Sequence, residues 1–392
     1  MQNLKVCFYT HNLPNPLIGG VERVTYNLTN AFRTHNIQVY NLCSSGDGAD
    51  ATIPTELNNC EKAIFANDFL IRNGINILID QYGMSFLSHP MISENIKILQ
   101  CCHINPIAKH TVRALFESID IYKPKQSLLN IAFIINTPLR NLKLRKRYSD
   151  IRETNGIDKL VFLCDNYVNA ISSRYKIDIG RLAAIPNAID DNLLNETSSL
   201  TQKKKKTIMW CGRIAQSPKN VLFLPRLWKH LMTKHPDWEM IIVGDGIDRH
   251  LLERKIKHYK LSNITLTGNT NPYKYYRDAS IFVLPSYSEG FGMVLLEAMA
   301  NNCVPVVFDN SAVFNDIISE ECGFIVPDLD ADAFINACDL LISNEDLLLK
   351  MGQNAKQTVS RFSMSDVYNQ WCKLFNELEV DRTPSKRSAG SA

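Results

Sequence analysis

An α/β architecture of two doubly wound halves in series is what the chain's pattern predicts, and three observations carry that prediction. Short apolar runs alternate with amphipathic stretches from residue 4 to residue 341, the order expected of βαβ units. A polar stretch at 190–206, DDNLLNETSSLTQKKKK, interrupts the alternation midway and suits an exposed linker. Glycine-containing loops follow the first strand of each half, at 11–20 and again from Gly212. In an open parallel sheet such loops lie at the carboxyl ends of the strands, where ligands bind. A chain of 392 residues is too long for one typical core, so two domains of nearly equal size are expected, over 1–189 and 207–361. Two such halves imply two facing Rossmann-like domains with a ligand cleft between them.

The first half opens with a strand at 4–10 and a loop at 11–20. A helix follows from near Val21, carrying Val24, Leu28, Ala31 and Phe32 on one face. Further strands are expected at 38–42, 75–79, 96–102, 159–164 and 181–186, with helices at 62–73 and 167–175. The four lysines at 203–206 read as a solvated face. The second half runs strand 207–211, helix 221–233, strand 238–243, helix 249–259, strand 264–267 and helix 272–279. It continues with strand 281–284, helix 293–300, strands ending at Phe308 and Val326, and helix 331–341. A terminal amphipathic helix is expected at 362–377, and the last residues, 381–392, read as a disordered tail.

Bulk properties exclude several classes. Hydrophobic residues at 45% and charged residues at 21% are ordinary globular values, and a net charge of +3 is too small to argue for a nucleic-acid partner. The eleven cysteines include no CxxC pair, and Cys7, Cys211 and Cys303 lie in apolar runs. They fit small core residues in a reducing cytoplasm rather than a zinc site. Met1 leads into a polar start and then a strand, so no secretory leader is expected, and no apolar run reaches the about 18 residues of a membrane span.

The most informative stretch is 281–308, IFVLPSYSEGFGMVLLEAMANNCVPVVF, read as strand, loop, helix, strand. Glu289 lies in its loop. Glu297 is the one acid on a helix otherwise apolar from Met293 to Ala300. Such a helix is buried, so its carboxylate needs a dedicated partner: a ligand hydroxyl, or a neighbouring Arg if the unit is merely structural. Gly290, Phe291 and Gly292 precede the helix, where backbone amides and the helix dipole favour a phosphate. Phosphates flanked by two carboxylates describe a nucleotide sugar.

Other positions join this reading, each with a plainer alternative. Gly19 and Gly20 face the strand ends of the first half and fit either a phosphate or a turn. Gly212, Arg213 and Lys219 offer cations to a diphosphate, or are solvated basic residues. Gly244 sits in VGDG; Arg249 stands where a dinucleotide fingerprint needs its third glycine, which argues against NAD and leaves Gly244 as a close-approach position beneath a nucleotide. His103 ends a strand and is either functional or a satisfied structural residue. Asp328, Asp330 and Asp332 mimic a metal-binding pair but fit helix capping, so no metal is called for. The segment 121–149 holds no acid and seven basic residues, of which Arg140, Lys143, Arg145, Lys146 and Arg147 follow an apolar run. It suits contact with anionic lipid at ~1 kcal/mol per basic residue, or equally a core helix with a solvated turn.

With these residues in place the chain resembles the family 4 retaining glycosyltransferases of GT-B fold, over residues 4–380. The match rests on EGFGMVLLEA as a Glu-x7-Glu element, on GGVER, IPNAID and VGDG, and on the spacing from Gly212–Arg213 to Lys219. The resemblance implies that Arg213 and Lys219 hold a donor diphosphate, helped by the amides of 290–292, and that Glu297 binds ribose hydroxyls. It places Glu289 against the donor sugar, His103 near the reacting centre, and Gly19 and Gly20 near the phosphate. It assigns 362–380 as a helix crossing back to the acceptor domain. Ala188 in IPNAID stands where many relatives carry glycine. The implied activity is metal-independent transfer, with retention, of a sugar from a nucleotide sugar, a UDP-sugar ahead of GDP-mannose. The implied acceptor is a surface or lipid-linked glycan at the cytoplasmic membrane face, and the nucleotide sugar is a co-substrate rather than a cofactor. A nucleotide-sugar 2-epimerase and a non-catalytic nucleotide-sugar binder are the rival readings.

Overall fold

The computed structural model describes residues 3–16, 19–46, 48–83, 87, 92–106, 146, 148–149, 156–196 and 204–380. The expectations for the basic segment at 121–149, apart from Lys146, Tyr148 and Ser149, and for the tail at 381–392 lie outside these residues. The chain divides into two compact units. One comprises Met1–His103, Tyr148–Ala188 and Met364–Ala392, and the other Ile104–Arg147 and Ile189–Ser363.

The first unit is built on β1 (Lys5–Thr10), α1 (Gly20–Thr34), β2 (Gln38–Cys43), β3 (Ala51–Thr52), α2 (Asn59–Arg72), β4 (Ile77–Asp80), β5 (Lys97–Cys101), β6 (Lys159–Phe162), α3 (Asp165–Tyr175) and β7 (Leu182–Ala184). Its seven strands are all parallel, in the order β3-β2-β1-β4-β5-β6-β7, with Cys7 opposite Tyr40 on one side and Leu78 on the other. Parallel strands covered on both faces read as continuous apolar runs, and β1 and β4 are buried almost throughout. Helix α2 starts at a reciprocal capping box formed by Asn58 and Glu61, three residues before the expected start at 62. The four-residue spacing of Val24, Leu28 and Phe32 puts all three on the buried face of α1, where Phe32 stacks on Phe8 at 5.8 Å.

The second unit begins with α4 (Asp191–Glu196). It continues through β8 (Thr207–Cys211), α5 (Leu224–Leu231), β9 (Glu239–Val243), α6 (Arg249–His258), β10 (Ile264–Gly268), α7 (Tyr273–Asp278), β11 (Ile281–Leu284), α8 (Met293–Ala300), β12 (Val304–Phe308), β13 (Phe324–Val326), α9 (Ala331–Ser343) and α10 (Glu345–Val359). Its six parallel strands run β10-β9-β8-β11-β12-β13. A core covers one face of this sheet, where Ile208, Trp210, Ile242 and Val283 meet Leu227, Trp228 and Phe334. In each sheet the strand order reverses once, between β1 and β4 and between β8 and β11, and ligands in open α/β sheets bind at such a reversal. The chain's last helix, α11 (Met364–Val380), belongs to the first unit and packs on α1, with Tyr368, Trp371 and Phe375 edge-on to Phe32.

Four differences from the sequence-based expectation have physical causes. The 190–206 stretch is not wholly linker, since α4 occupies its start. Of the described lysines of the run, Lys205 and Lys206 are exposed as a solvated face requires, but Lys204 is not. The Lys204 ammonium is inserted against the carbonyls of Tyr276 and Arg277 at 2.9 and 3.0 Å, and burial lowers its pKa. Lys205 and Lys206 reach Asp278 and Asp237 at 2.6 and 2.5 Å. The expected helix at 221–233 is a 3-10 turn at Val221–Phe223 followed by α5, with Pro225 setting the first helical turn. Helix α10 was not anticipated, although Asn344 caps it by accepting from the Leu347 amide at 3.0 Å. Asp330 does cap α9, accepting from the Ala333 amide at 2.9 Å. Among the described residues no helix is long and apolar enough to cross a membrane.

Candidate active site

In the second unit the loops after β8 and β11 flank the reversal of strand order, and they are tied together. The Tyr287 amide donates to the Pro218 carbonyl at 2.8 Å. The buried Gln216 side chain bonds Tyr287 Oη at 3.1 Å and the Leu222 amide at 2.9 Å, while its own amide donates to Asp248 at 2.8 Å. One glutamine thus ties together the loops that follow β8, β9 and β11. None of Gln216, Tyr287 and Asp248 stands out in the sequence, because their partners lie tens of residues away.

The central contact is an ion pair between two predicted site residues. Lys219 Nζ lies 2.7 and 3.0 Å from the two oxygens of Glu289, which also accepts from Ser286 Oγ at 2.6 Å. Glu289 is only 7% exposed. Ser311 Oγ donates to the Glu289 carbonyl at 3.1 Å and fixes the loop from behind. Arg213, on the loop after β8, is exposed.

Glu297 is placed differently. It is 3% exposed on α8, and the fully buried Tyr276 phenol donates to it at 3.1 Å. Burial and the Glu297 charge push the Tyr276 pKa well up, so this hydroxyl remains a donor. A tyrosine from α7 is thus one protein partner of this carboxylate. Gly292 enters α8 at φ +85°, a left-handed conformation suited to glycine, and no side chain caps the helix. Phe291 turns inward, 3% exposed and edge-on to Phe362 at 5.9 Å, so Gly290, Phe291 and Gly292 present backbone rather than side chain.

The glycines of the neighbouring loops have a reason the sequence does not disclose. A Cβ on Gly244 would stand 1.9 Å from the Gly212 carbonyl oxygen, and Gly244 has φ +133°. The close approach at Gly244 is thus to the backbone of the Gly212 loop. Arg249, in place of a third glycine, pairs with Asp245 at 3.2 Å and Glu253 at 2.8 Å on its own helix.

The first unit carries the remaining predicted residues near its own reversal of strand order. Gly19 caps α1 from an extended conformation, and a Cβ there would lie 2.6 Å from the Glu22 carboxylate; Gly20 faces open space. Glu22 accepts from Tyr82 Oη at 2.7 Å, and burial with this carboxylate pushes the phenol up to about 12. His103 follows β5. Its Nε2 meets Gln81 Oε1, and burial brings the imidazole down to about 4 against a smaller upward pull from Glu22.

The model of the family described as "Glycosyl transferases group 1" matches residues 194–358. The lipopolysaccharide core biosynthesis mannosyltransferase LpsB of Rhizobium meliloti is 30% identical over 263 residues, covering 62% of this chain and 74% of LpsB. The chain belongs to the glycosyl transferases group 1 family. An uncharacterized glycosyltransferase of Haemophilus influenzae is 24% identical over 374 residues, spanning 94% of this glycosyltransferase and 98% of the relative. Among solved structures, a glycosyltransferase from Rickettsia africae superposes with a TM-score of 0.72 at 18% identity, over 97% of this chain and 99% of that one. At that identity the likeness speaks for the fold, and with the two parallel sheets it shows the GT-B class.

Proposed function

We propose that this glycosyltransferase moves a sugar from a nucleotide sugar, a UDP-sugar ahead of GDP-mannose, to a surface or lipid-linked glycan with retention of anomeric configuration. The observation that carries the reading is the buried Glu289 carboxylate, paired with Lys219 where the strand order reverses. A lysine ammonium has three N–H bonds, and two reach Glu289, so one remains in position for a phosphate oxygen. In this reading Lys219 and Arg213 offset charge as the diphosphate departs, the amides of Gly290 and Gly292 with Phe291 assist, and Gly212 and Gly244 keep backbone close by. Glu289 faces the donor sugar and Glu297, held by Tyr276, takes the ribose hydroxyls. His103, Gly19 and Gly20 belong to the acceptor side.

Glycosyl transfer passes through an oxocarbenium-like state. The proposal is a front-face path in which the departing phosphate takes the acceptor's proton, with no metal required. Surface-polysaccharide synthesis is favoured by the relative named for lipopolysaccharide core biosynthesis. A cytoplasmic site, with the basic segment at 121–149 against anionic lipid, completes the proposal.

A thermal-shift screen of UDP- and GDP-sugars tests it, because a ligand at 100 times its Kd stabilises by about 2.7 kcal/mol. The donor that binds is then supplied with glycan acceptors, and the anomeric configuration of the product is read by NMR. Epimerised nucleotide sugar formed without any acceptor would assign the protein to the 2-epimerase reading instead, and binding with no turnover to a non-catalytic role.

A further inference from the structure

A cavity of about 260 Å³ opens in the second unit beside the loop that carries Lys219. Its walls include Asn220, Leu222, Arg226 from α5, Lys255 from α6, Tyr287 and Leu329; Arg213, Lys219, Glu289 and Glu297 are not among them. Two of these walls are cations on different helices. Arg226 is exposed and Lys255 half-buried, and among the described residues neither side chain makes an ion pair or a hydrogen bond. Two like charges at one space repel, and an anion placed there relieves both. The acids flanking Leu329, Asp328 and Asp330, do not line the cavity, and Asp330 is engaged as the cap of α9.

The third feature is a buried donor. Asn220 is 5% exposed and holds a left-handed backbone at φ +53°. Gln216 fixes which way its amide faces. The Gln216 Oε1 atom accepts from the Leu222 amide at 2.9 Å, so its Nε2 group faces Asn220 at 3.3 Å, and Asn220 must present its oxygen there. That leaves Asn220 Nδ2 with no hydrogen-bond partner among the described residues, on a side chain that lines the cavity. Buried polar groups are normally satisfied. A phosphate monoester answers all three features, because it carries a charge of about −1.5 to −2 at neutral pH and three strong acceptor oxygens. The guanidinium fork and the ammonium match its charge, and Asn220 adds a neutral donor. Leu222 and Leu329 offer apolar surface beside it, and the volume is below the about 300 Å³ at which pockets for drug-sized ligands begin, which suits a small carrier.

We propose that this cavity is a second anion site, which takes the phosphate monoester of a small soluble molecule and steadies the donor loops when filled. The coupling follows from connectivity. Asn220 directly follows Lys219, and the Gln216 Nε2 group that holds Asn220 also reaches Tyr287 Oη at 3.1 Å, two residues before Glu289. A ligand on Asn220 therefore steadies both sides of the Lys219–Glu289 pair, and by linkage nucleotide and ester each favour the other's binding. The coupling rests on the nucleotide-sugar reading; the site does not.

Calorimetric titration of the full-length protein with glucose 6-phosphate tests the site. The ester should bind, and the double variant Arg226→Gln, Lys255→Gln should bind it about 10- to 100-fold more weakly. Asn220→Gly, which keeps the left-handed backbone, should weaken it about 10-fold, while Lys257→Gln, exposed on α6 outside the cavity, should leave it unchanged. A near-native Tm verifies that each variant is folded. Inorganic phosphate should bind more weakly than the ester; equal affinity would overturn the assignment to a carried phosphate. With the ester saturating, UDP should bind about fivefold more tightly to the wild type and no more tightly to the double variant. No binding of the ester, undiminished binding by the double variant, or competition between ester and UDP, as occupation of the Arg213 and Lys219 site would give, overturns the proposal. Failure of UDP to bind the wild type counts against the nucleotide-sugar reading and the coupling, and the titrations with ester alone still decide the site.

Discussion

Removing one member or the other of the Lys219–Glu289 pair should have unequal effects on both stability and ligand binding. Glu289 is 7% exposed and has, besides Lys219, the Ser286 hydroxyl at 2.6 Å. Lys219→Met leaves that carboxylate buried beside one neutral donor, and stranding a buried charge costs about 3 kcal/mol. For a domain of this size each kcal/mol is worth about 2–4 °C, so Tm should fall by about 6–12 °C. Glu289→Gln keeps a hydrogen-bonding group for Ser286, and the Lys219 side chain, 22% exposed, regains water; the cost should be about 1 kcal/mol. For UDP the same order holds and the gap widens. Losing the ammonium removes a charge-assisted bond of about 1.5–3 kcal/mol, some 10- to 100-fold in affinity, whereas Glu289→Gln releases the ammonium and should leave UDP affinity equal or higher. Thermal unfolding and calorimetric titration with UDP check both. Glu289→Gln destabilising as much as Lys219→Met, or weakening UDP binding, would refute the argument.

Other expectations follow from the same geometry. Glu297→Ala and Tyr276→Phe should chiefly weaken nucleotide binding, while Glu289→Ala chiefly lowers turnover; equal losses of nucleotide affinity for Glu297→Ala and Glu289→Ala would abolish that division. Gly244→Ala should cost more than about 3 kcal/mol, because its Cβ would meet the Gly212 carbonyl at 1.9 Å, and a variant with near-native Tm would contradict the loop packing. His103, depressed from 6.5 to about 4, makes the unfolded chain bind the extra proton between those values. Stability should therefore be fully present above about pH 6.5 and decline as pH falls toward 4, and His103→Gln should flatten that part of the profile. Lys204→Ala should cost about 1–3 kcal/mol by stranding the Tyr276 and Arg277 carbonyls, and more than Lys205→Ala, whose ion pair is exposed, as compared in urea melts.

What the sequence discloses here is what is local. Apolar runs such as 281–284 announce buried parallel strands, and the lone acid on α8 signals a buried carboxylate because nothing else on that helix is polar. The partner of that carboxylate is another matter: Tyr276 comes from a different helix, and no spacing rule connects the two. The same holds for Gln216, whose contacts with Asp248 and Tyr287 span 32 and 71 residues. Lys204 misleads because four consecutive lysines have the composition of a solvated face, while its particular surroundings are the carbonyls ending α7. Helix α10 was legible in principle: Asn344 caps it, Glu345 and Asp346 fill its first turn, and Met351, Ala355 and Val359 recur at four-residue steps.

The return of α11 to the first unit makes the Ile189–Ser363 part of the second unit an insertion, flanked on both sides by pieces of its neighbour. During synthesis the whole inserted unit emerges before the helix that covers Phe32, so the first unit's face at α1 stays bare until residues 364–380 are made. The inserted unit can fold on its own schedule while the host waits. Exchange of residues 189–363 between relatives should accordingly succeed as a two-cut graft, entering after Ala188 and leaving before Met364, and fail as a simple swap of tails that separates α11 from the helix it packs on.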